Sequence, residues 1–313
     1  MILHSIKGGE KEPNMRIVTN LFKSILGITL TATLTSGCDK NDTDLIPSYL
    51  FIDSISLSTT YEQGSSSQKI SDAWVYVDET LIGAFELPAT VPILKDGLQN
   101  VTIRPGIKLN GIANTRSIYP FYADIKRNLL LTKDSITNFS NAVTTYKQNV
   151  IFPWIENFDF SGVTLDTTRK STVGIGKTND QSLIFHKAGE DNAYSCFIRM
   201  SADSATFEAT STQSYNLPGN GASIFLEMNY NTNHSLVVGV FYTASGIRVQ
   251  RPLLVLNKTE GWNKVYVNLS VPKYDTPSAT DFQIFFGAQK EEGSEDALIY
   301  LDNLKLVHFN TVK

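Results

Sequence analysis

The sequence predicts an all-β protein built as two β-sandwich domains in series, and three observations point there. Aromatic residues make up 11% of the 313-residue chain, mostly Phe and Tyr, beside many Val, Ile and Thr; these types fit a pleated, half-buried surface. From Tyr49 onward, short alternating segments are punctuated by turn residues about every 8 to 12 positions, the spacing of a sandwich. No helix-period segment of convincing length appears, and no solenoid-period repeat. Hydrophobic residues at 42% and charged residues at 19% are enough for a core and about two domains.

Residues 1–37 read as a signal peptide, with translation starting at Met15. From there a short basic region (Arg16, Lys23) leads into an uncharged apolar run from Ser24 to about Leu34, then Thr35, Ser36 and Gly37, the layout of a secretory signal. An uncharged run of about 13 residues would span roughly 20 Å as a helix, short of the ~30 Å hydrocarbon core. Leu34-Thr35-Ser36-Gly37-Cys38 resembles a bacterial lipobox, although Thr35 stands where the motif usually has Leu. The resemblance implies cleavage before Cys38 and acyl chains on its thiol, each buried CH₂ contributing about 0.8 kcal/mol to membrane binding. The alternative is an ordinary linker cysteine, able to bond to Cys196, the only other cysteine. Residues 38–48 form a tether rich in acids (Asp39, Asp42, Asp44) around Lys40. Such a run after a lipidated cysteine resembles the surface-export signals of Bacteroidota lipoproteins, which implies the outer membrane and exposure at the cell surface.

Residues 49–152 form the first sandwich. Ala73 to Asp78 alternates with period two, Asp78-Glu79 reads as a turn, and Leu81 to Phe85 as the returning strand. Asp96-Gly97 supplies another turn, and Val101 to Arg104 a strand closed by Pro105-Gly106. Asn128 to Thr132 and Ala142 to Lys147 supply later strands. The run from Asp72 to Ile107 resembles the small sandwich modules of the PEGA and carboxypeptidase-regulatory type, which implies a fold and hardly any function.

Residues 153–313 form the second sandwich, with the boundary placed at Ile151-Phe152-Pro153-Trp154. Ala193 to Met200, Ala222 to Tyr230, Ser235 to Tyr242, Lys264 to Leu269 and Asp281 to Gly287 are strand-like. The opening Glu156-Asn157-Phe158-Asp159, Gly261-Trp262 before a strand, and the closing Leu301-Asp302-Asn303-Leu304-Lys305-Leu306, within a last segment that starts at Ile299, resemble the jelly-roll, galactose-binding-like domains of carbohydrate-binding modules. That resemblance implies a glycan ligand. It also implies a structural calcium ion held by Glu156 and Asp302; no other cofactor is expected.

Chemistry is sparse. Gly176-Lys177-Thr178 lacks the first glycine of a phosphate loop, since Ser171 stands there, and the helix that should follow. The four histidines never pair at metal-ligand spacing, and no Gly-x-Ser-x-Gly occurs. Lys and Arg are scattered singly in a chain of net charge -4, so no basic stripe suits nucleic acid. Glu291 to Asp296 reads as an exposed hairpin tip, the alternative being a calcium loop, and Cys196 as a buried small hydrophobe. Trp74, Trp154 and Trp262 are the candidates for stacking on sugar rings, each weighed against a place in the core, with Trp154 and Trp262 preferred as ligand-binding residues. The expectation is a lipid-anchored envelope protein for binding or adhesion, not an enzyme, taking glycan through its jelly roll. The rivals are an accessory subunit of an outer-membrane protein complex and, further off, a glycan hydrolase.

Overall fold

Leu50, Ile52, Ile55 and Leu57 alternate with more exposed neighbours, so one face of the opening strands must be buried. In the computed structural model, which describes residues 46–219 and 221–311, these are β1 (Ser48–Ile52) and β2 (Ile55–Ser58). The predicted hairpin follows as β3 (Asp72–Val77) and β4 (Thr80–Glu86). Asp78 and Glu79 take φ of 46° and 65°, the left-handed pair of a tight hairpin turn whose twist suits its strands. Next come β5 (Ala89–Ile93), β6 (Gly97–Lys108), β7 (Arg116–Ile118), β8 (Ile125–Leu131), β9 (Ile136–Asn138) and β10 (Ala142–Thr145). One sheet has the order β4-β3-β6-β7 with β8 also on β6; β5-β1-β9 and β10-β2 complete the sandwich. Leu50, Ile52, Val75, Val91 and Ile103 are fully buried in its core.

The expectation that Pro105-Gly106 closes a strand is corrected, because β6 runs on to Lys108. Its outer edge is shared: β8 pairs with residues 97–103 and β7 with residues 106–108. Pro105 falls in the gap between them, where its missing N–H costs that edge no ladder bond.

The second half contains β11 (Val150–Glu156), β12 (Leu165–Thr167), β13 (Gly176–Thr178), β14 (Ser195–Met200), β15 (Thr206–Ser211), β16 (Ile224–Thr232) and β17 (Leu236–Ala244). β18 (Ile247–Leu256), β19 (Asn263–Asn268), one helical turn α1 (Ser270–Asp275), β20 (Thr280–Gln289) and β21 (Ala297–Phe309) complete it. A six-stranded sheet, β13-β14-β21-β16-β19 with β11 also on β21, faces a five-stranded sheet, β12-β15-β20-β17-β18. Met200, Phe207, Leu226, Val240, Phe286 and Leu301 fill the space between. The chain is therefore all-β, with the sandwich architecture its residue pattern predicts. The sequence reading named neither β15 nor β18.

β21 repeats the device of β6. β14 pairs with residues 297–301 and β11 with residues 304–309, so Asp302 and Asn303 lie at the switch, Asn303 with φ of 49°. Residues 151–154 lie inside β11, which carries a bulge there. Pro47–Lys313 is one compact unit, because Phe225, Tyr266 and Val307 of the second half pack into the core of the first.

Candidate functional site

β16 reads Ile224-Phe225-Leu226-Glu227-Met228-Asn229-Tyr230, and alternation sends its two residue sets to opposite faces. Ile224, Leu226, Met228 and Tyr230 enter the core of the C-terminal sandwich. Phe225, Glu227 and Asn229 therefore turn toward the N-terminal sandwich, joined across the ladder by Lys264 and Tyr266 of β19 and by Lys305 of β21.

Glu227 is the hub. Its Oε1 accepts hydrogen bonds from the hydroxyls of Tyr119 (2.8 Å) and Tyr146 (2.7 Å), both from the first half. Lys264 Nζ lies 2.9 Å from its Oε2, an ion-pair distance off the line of a good hydrogen bond. Burial pushes the Glu227 carboxyl up, but Lys264, Lys305 and the hydrogen bonds outweigh burial and hold it below its usual value. Burial, partly offset by Glu227, pulls Lys305 down to about 7, and its ammonium donates to Ser65 O. The Tyr122 and Tyr266 hydroxyls meet at 3.1 Å. A buried carboxylate with these partners fastens the two sandwiches, because removing it strands two buried amines.

Beyond Lys264 the face opens. Two hollows, about 410 and 770 Å³, share a rim made by Lys69, Trp262, Asn263 and Lys264. The Trp262 indole is partly exposed; its Nε1 donates to Leu183 O at 3.1 Å, and the Phe185 ring meets it edge-on at 5.5 Å. The ring is thus held before any ligand arrives. In the smaller hollow stand Asn229, 3% exposed, and Lys264, 5% exposed. Asn229 Oδ1 lacks a hydrogen-bond partner, and the Lys264 ammonium, which pairs with Glu227, keeps further N–H donors. An unmade hydrogen bond on a buried group costs about 1–3 kcal/mol, so an acceptor and a donor left open beside a free cavity mark a place that a polar ligand can complete.

Of the residues expected to bind ligand, Trp262 is in this cleft and Trp154 is not. Trp154 is 4% exposed within the C-terminal core, its Nε1 donating to Thr164 Oγ1 at 2.8 Å, so it offers a sugar no ring face. Trp74 is half-buried on the N-terminal sandwich, its Nε1 unpartnered. Cys38 lies outside the described residues. Cys196 is fully buried, and burial pushes its thiol up. Lys177 of the Gly-Lys-Thr stretch binds Phe158 O at 3.0 Å and Phe160 O at 2.6 Å from strand β13.

Glu156 and Asp302, expected to hold calcium, are already engaged. Glu156 Oε1 accepts from Phe158 N–H (2.7 Å), and Oε2 from both the N–H and the hydroxyl of Thr164 (2.6 Å each). Glu156 thus folds the loop after β11 itself. Asp302 Oδ1 accepts from Asn303 N–H at 2.7 Å, and the Ser195 hydroxyl bonds Oδ2. Burial pushes Asp302 up to about 8, aided by the charges of Asp159 and Glu156 against the two hydrogen bonds. Among the described residues no three His, Cys, Asp or Glu side chains are grouped to hold a metal ion. Asp302 does sit directly across the ladder from Asn229, on the strand beside the cleft.

The outer face of the five-stranded sheet carries a hollow of about 450 Å³ lined by Lys170, Glu208, Phe241 and Arg248, but its side chains bond one another. Phe285 lies against Gly239, where a Cβ would stand 2.5 Å from its ring, and beside Phe241 at 5.2 Å; the two are 2% and 9% exposed. The Arg248 guanidinium covers Phe241 at 4.5 Å. Gln250 donates to Glu208 Oε2 at 2.6 Å and accepts from Lys170 at 3.0 Å.

No protein-family model matches the chain, and no characterised protein matches its sequence. Among solved structures, the CBM22-1 and GH10 modules of Clostridium thermocellum endo-1,4-beta-D-xylanase 10B, complexed with xylohexaose, align at 8% identity and a TM-score of 0.38. The alignment covers 52% of this chain and 29% of that one, so the chain spans less than a third of its length. A family 29 carbohydrate-binding module aligns at 13% identity and a TM-score of 0.30, over 51% of this chain and 88% of that one. A variant of such a module complexed with mannohexaose aligns at 12% and 0.31, over 51% and 91%. Superpositions of this quality assign nothing to individual residues.

Proposed function

We propose that this chain is a non-catalytic glycan-binding protein, held at the bacterial outer membrane by lipid on Cys38, and that the Trp262 cleft receives the sugar. One observation carries the reading: a pre-oriented, partly exposed indole beside a buried acceptor without a partner, Asn229 Oδ1, and the buried Lys264 ammonium, which has donors beyond its pairing with Glu227. A pyranose has an apolar C–H face for the electron-rich ring. Its hydroxyls both donate and accept, so neighbouring hydroxyls suit the open Asn229 acceptor and the remaining Lys264 donors. Clefts between domains are common ligand sites. Glycoside hydrolysis takes two carboxylates, and Glu260 is the one carboxylate residue lining the two hollows.

Binding to a glycan panel, read by isothermal titration, tests the site. The wild type binds at least one member and Trp262→Ala loses at least about tenfold in affinity, or about 1.4 kcal/mol. A protein that binds no glycan but captures a defined envelope protein would favour the accessory reading instead. Labelling with a lipid analogue tests the anchor: the wild type incorporates label and Cys38→Ala does not.

A further inference from the structure

We infer that the glycan taken by the Trp262 cleft is anionic, carrying carboxylate or sulfate groups. This deepens the glycan reading and rests on it. The whole chain has a net charge of -4, yet the residues lining the two hollows include Lys69, Lys108, Lys187, Lys258 and Lys264 against one acid, Glu260.

Two of these cations are already paired. Lys108 Nζ lies 3.2 Å from Asp72 and 3.7 Å from Glu86, and Lys264 lies 2.9 Å from Glu227. The other three are not. Lys69 donates to Asn263 Oδ1 at 2.6 Å, a neutral partner that leaves its charge uncompensated. Lys258 and Lys187 form no ion pair among the described residues. The acid closest in sequence to Lys187, Glu190, binds the Ser65 and Ser66 hydroxyls and the Ser66 N–H and interacts with the Lys187 charge without forming a close pair, so Lys187 is partly compensated.

Lys69 and Lys258, with Lys187 partly offset by Glu190, outweigh Glu260 and leave the cleft positive in an acidic protein. A concave site lined by one sign of charge concentrates ligands of the other sign, and charge-assisted hydrogen bonds are roughly twice as strong as neutral ones. The amines stand around the indole that stacks the ring, and the buried Lys264 and Asn229 lie inside the same rim. A sugar ring on Trp262 therefore places its acidic substituents within a collar of lysines. Neutral polysaccharide would leave that charge unused.

The test titrates the full chain with matched pairs that differ only in charge: dextran sulfate against dextran, and polygalacturonate against its methyl ester. We expect the charged members to bind, at least one of them about tenfold tighter than its neutral counterpart, with affinity falling as salt rises. Which pair shows the larger ratio separates sulfate from carboxylate recognition. Lys187→Glu combined with Lys258→Glu removes most of the preference, whereas Lys126→Glu, on the exposed face of the N-terminal sandwich, changes nothing. Trp262→Ala weakens the charged ligands too, which simple polyanion adsorption would not show. Equal binding of charged and neutral members that still depends on Trp262 overturns the inference and leaves the glycan reading standing. Polyanion binding indifferent to Trp262 overturns the inference as well. No binding to any glycan, here or on the panel, removes both.

Discussion

The two outer faces of the C-terminal sandwich handle their polar groups in opposite ways. On the five-stranded sheet, ring faces and polar ends close on their own neighbours: Arg248 covers Phe241, Gln250 bridges Glu208 and Lys170, and Gln283 donates to Ser211 O at 2.8 Å. On the six-stranded sheet, Asn229 Oδ1 and Asn303 Nδ2 are buried without hydrogen bonds, and Glu227 Oε2 and Lys264 Nζ meet each other at 2.9 Å. A face whose work is structural satisfies itself. The face that leaves donors and acceptors open does so under the N-terminal sandwich and beside a cleft, where a second body must supply the missing bonds.

Substitutions on the two faces should accordingly separate stability from binding. The largest effect belongs to Glu227→Ala. It leaves Lys264 and Lys305 buried and unpaired and two tyrosine hydroxyls without an acceptor, and it should cost about 3–5 kcal/mol in urea unfolding. Glu227→Gln keeps an acceptor for the tyrosines and should cost less. On the opposite face, Phe285→Ala should cost about 3 kcal/mol while glycan affinity stays at the wild-type value. Trp262→Ala should do the reverse, costing about 1 kcal/mol of stability or less, because the ring is partly exposed, while glycan binding is lost.

A smaller effect concerns pH. Asp302, pushed up to about 8, keeps its proton in the folded protein from about pH 4 to pH 8, where the unfolded chain has lost it. The folded state then binds more protons, so this group makes stability fall as pH rises through that window, by at most about 1.4 kcal/mol per pH unit. Lys305, pulled down to about 7, acts oppositely above neutrality. Between about pH 7 and pH 10.5 the unfolded chain holds the extra proton, so stability rises with pH there. Asp302→Asn should flatten the first slope and leave the second, as urea midpoints from pH 4 to pH 10 would reveal. An unchanged slope below pH 8 would mean that Asp302 is ionised in the folded state.

Much of this comparison was legible in the residues, and some of it was not. The hairpin at Asp78-Glu79 and the strands around Cys196, Lys264 and Ile299 follow from period-two alternation and turn chemistry, which act locally. Trp262 stood out because a tryptophan between a turn glycine and a strand sits where a ring can face outward. Trp154 was a candidate for its place at the expected domain boundary, yet its strand pairs with β21 and turns it inward; pairing partners are not written in the local pattern. β18 contains Pro252, which argues against a strand in a local pattern although an edge strand tolerates one. The polar set Glu227, Asn229 and Lys264 was visible as one face of two strands. What covers that face is a non-local fact, set by the packing of Phe225, Tyr266 and Val307 into the other sandwich. The calcium expectation at Glu156 and Asp302 meets carboxylates already spent on N–H and hydroxyl donors, a use that spacing alone does not disclose.

The central claim is that ligand enters the Trp262 cleft and not the face that carries Phe241. Isothermal titration of one bound glycan against wild type, Trp262→Ala and Phe241→Ala, with all three confirmed folded by circular dichroism, tests it most directly. Trp262→Ala should lose at least about tenfold in affinity, and Phe241→Ala should bind as the wild type does. Loss in Phe241→Ala with binding intact in Trp262→Ala would contradict that claim and move the site to the five-stranded sheet.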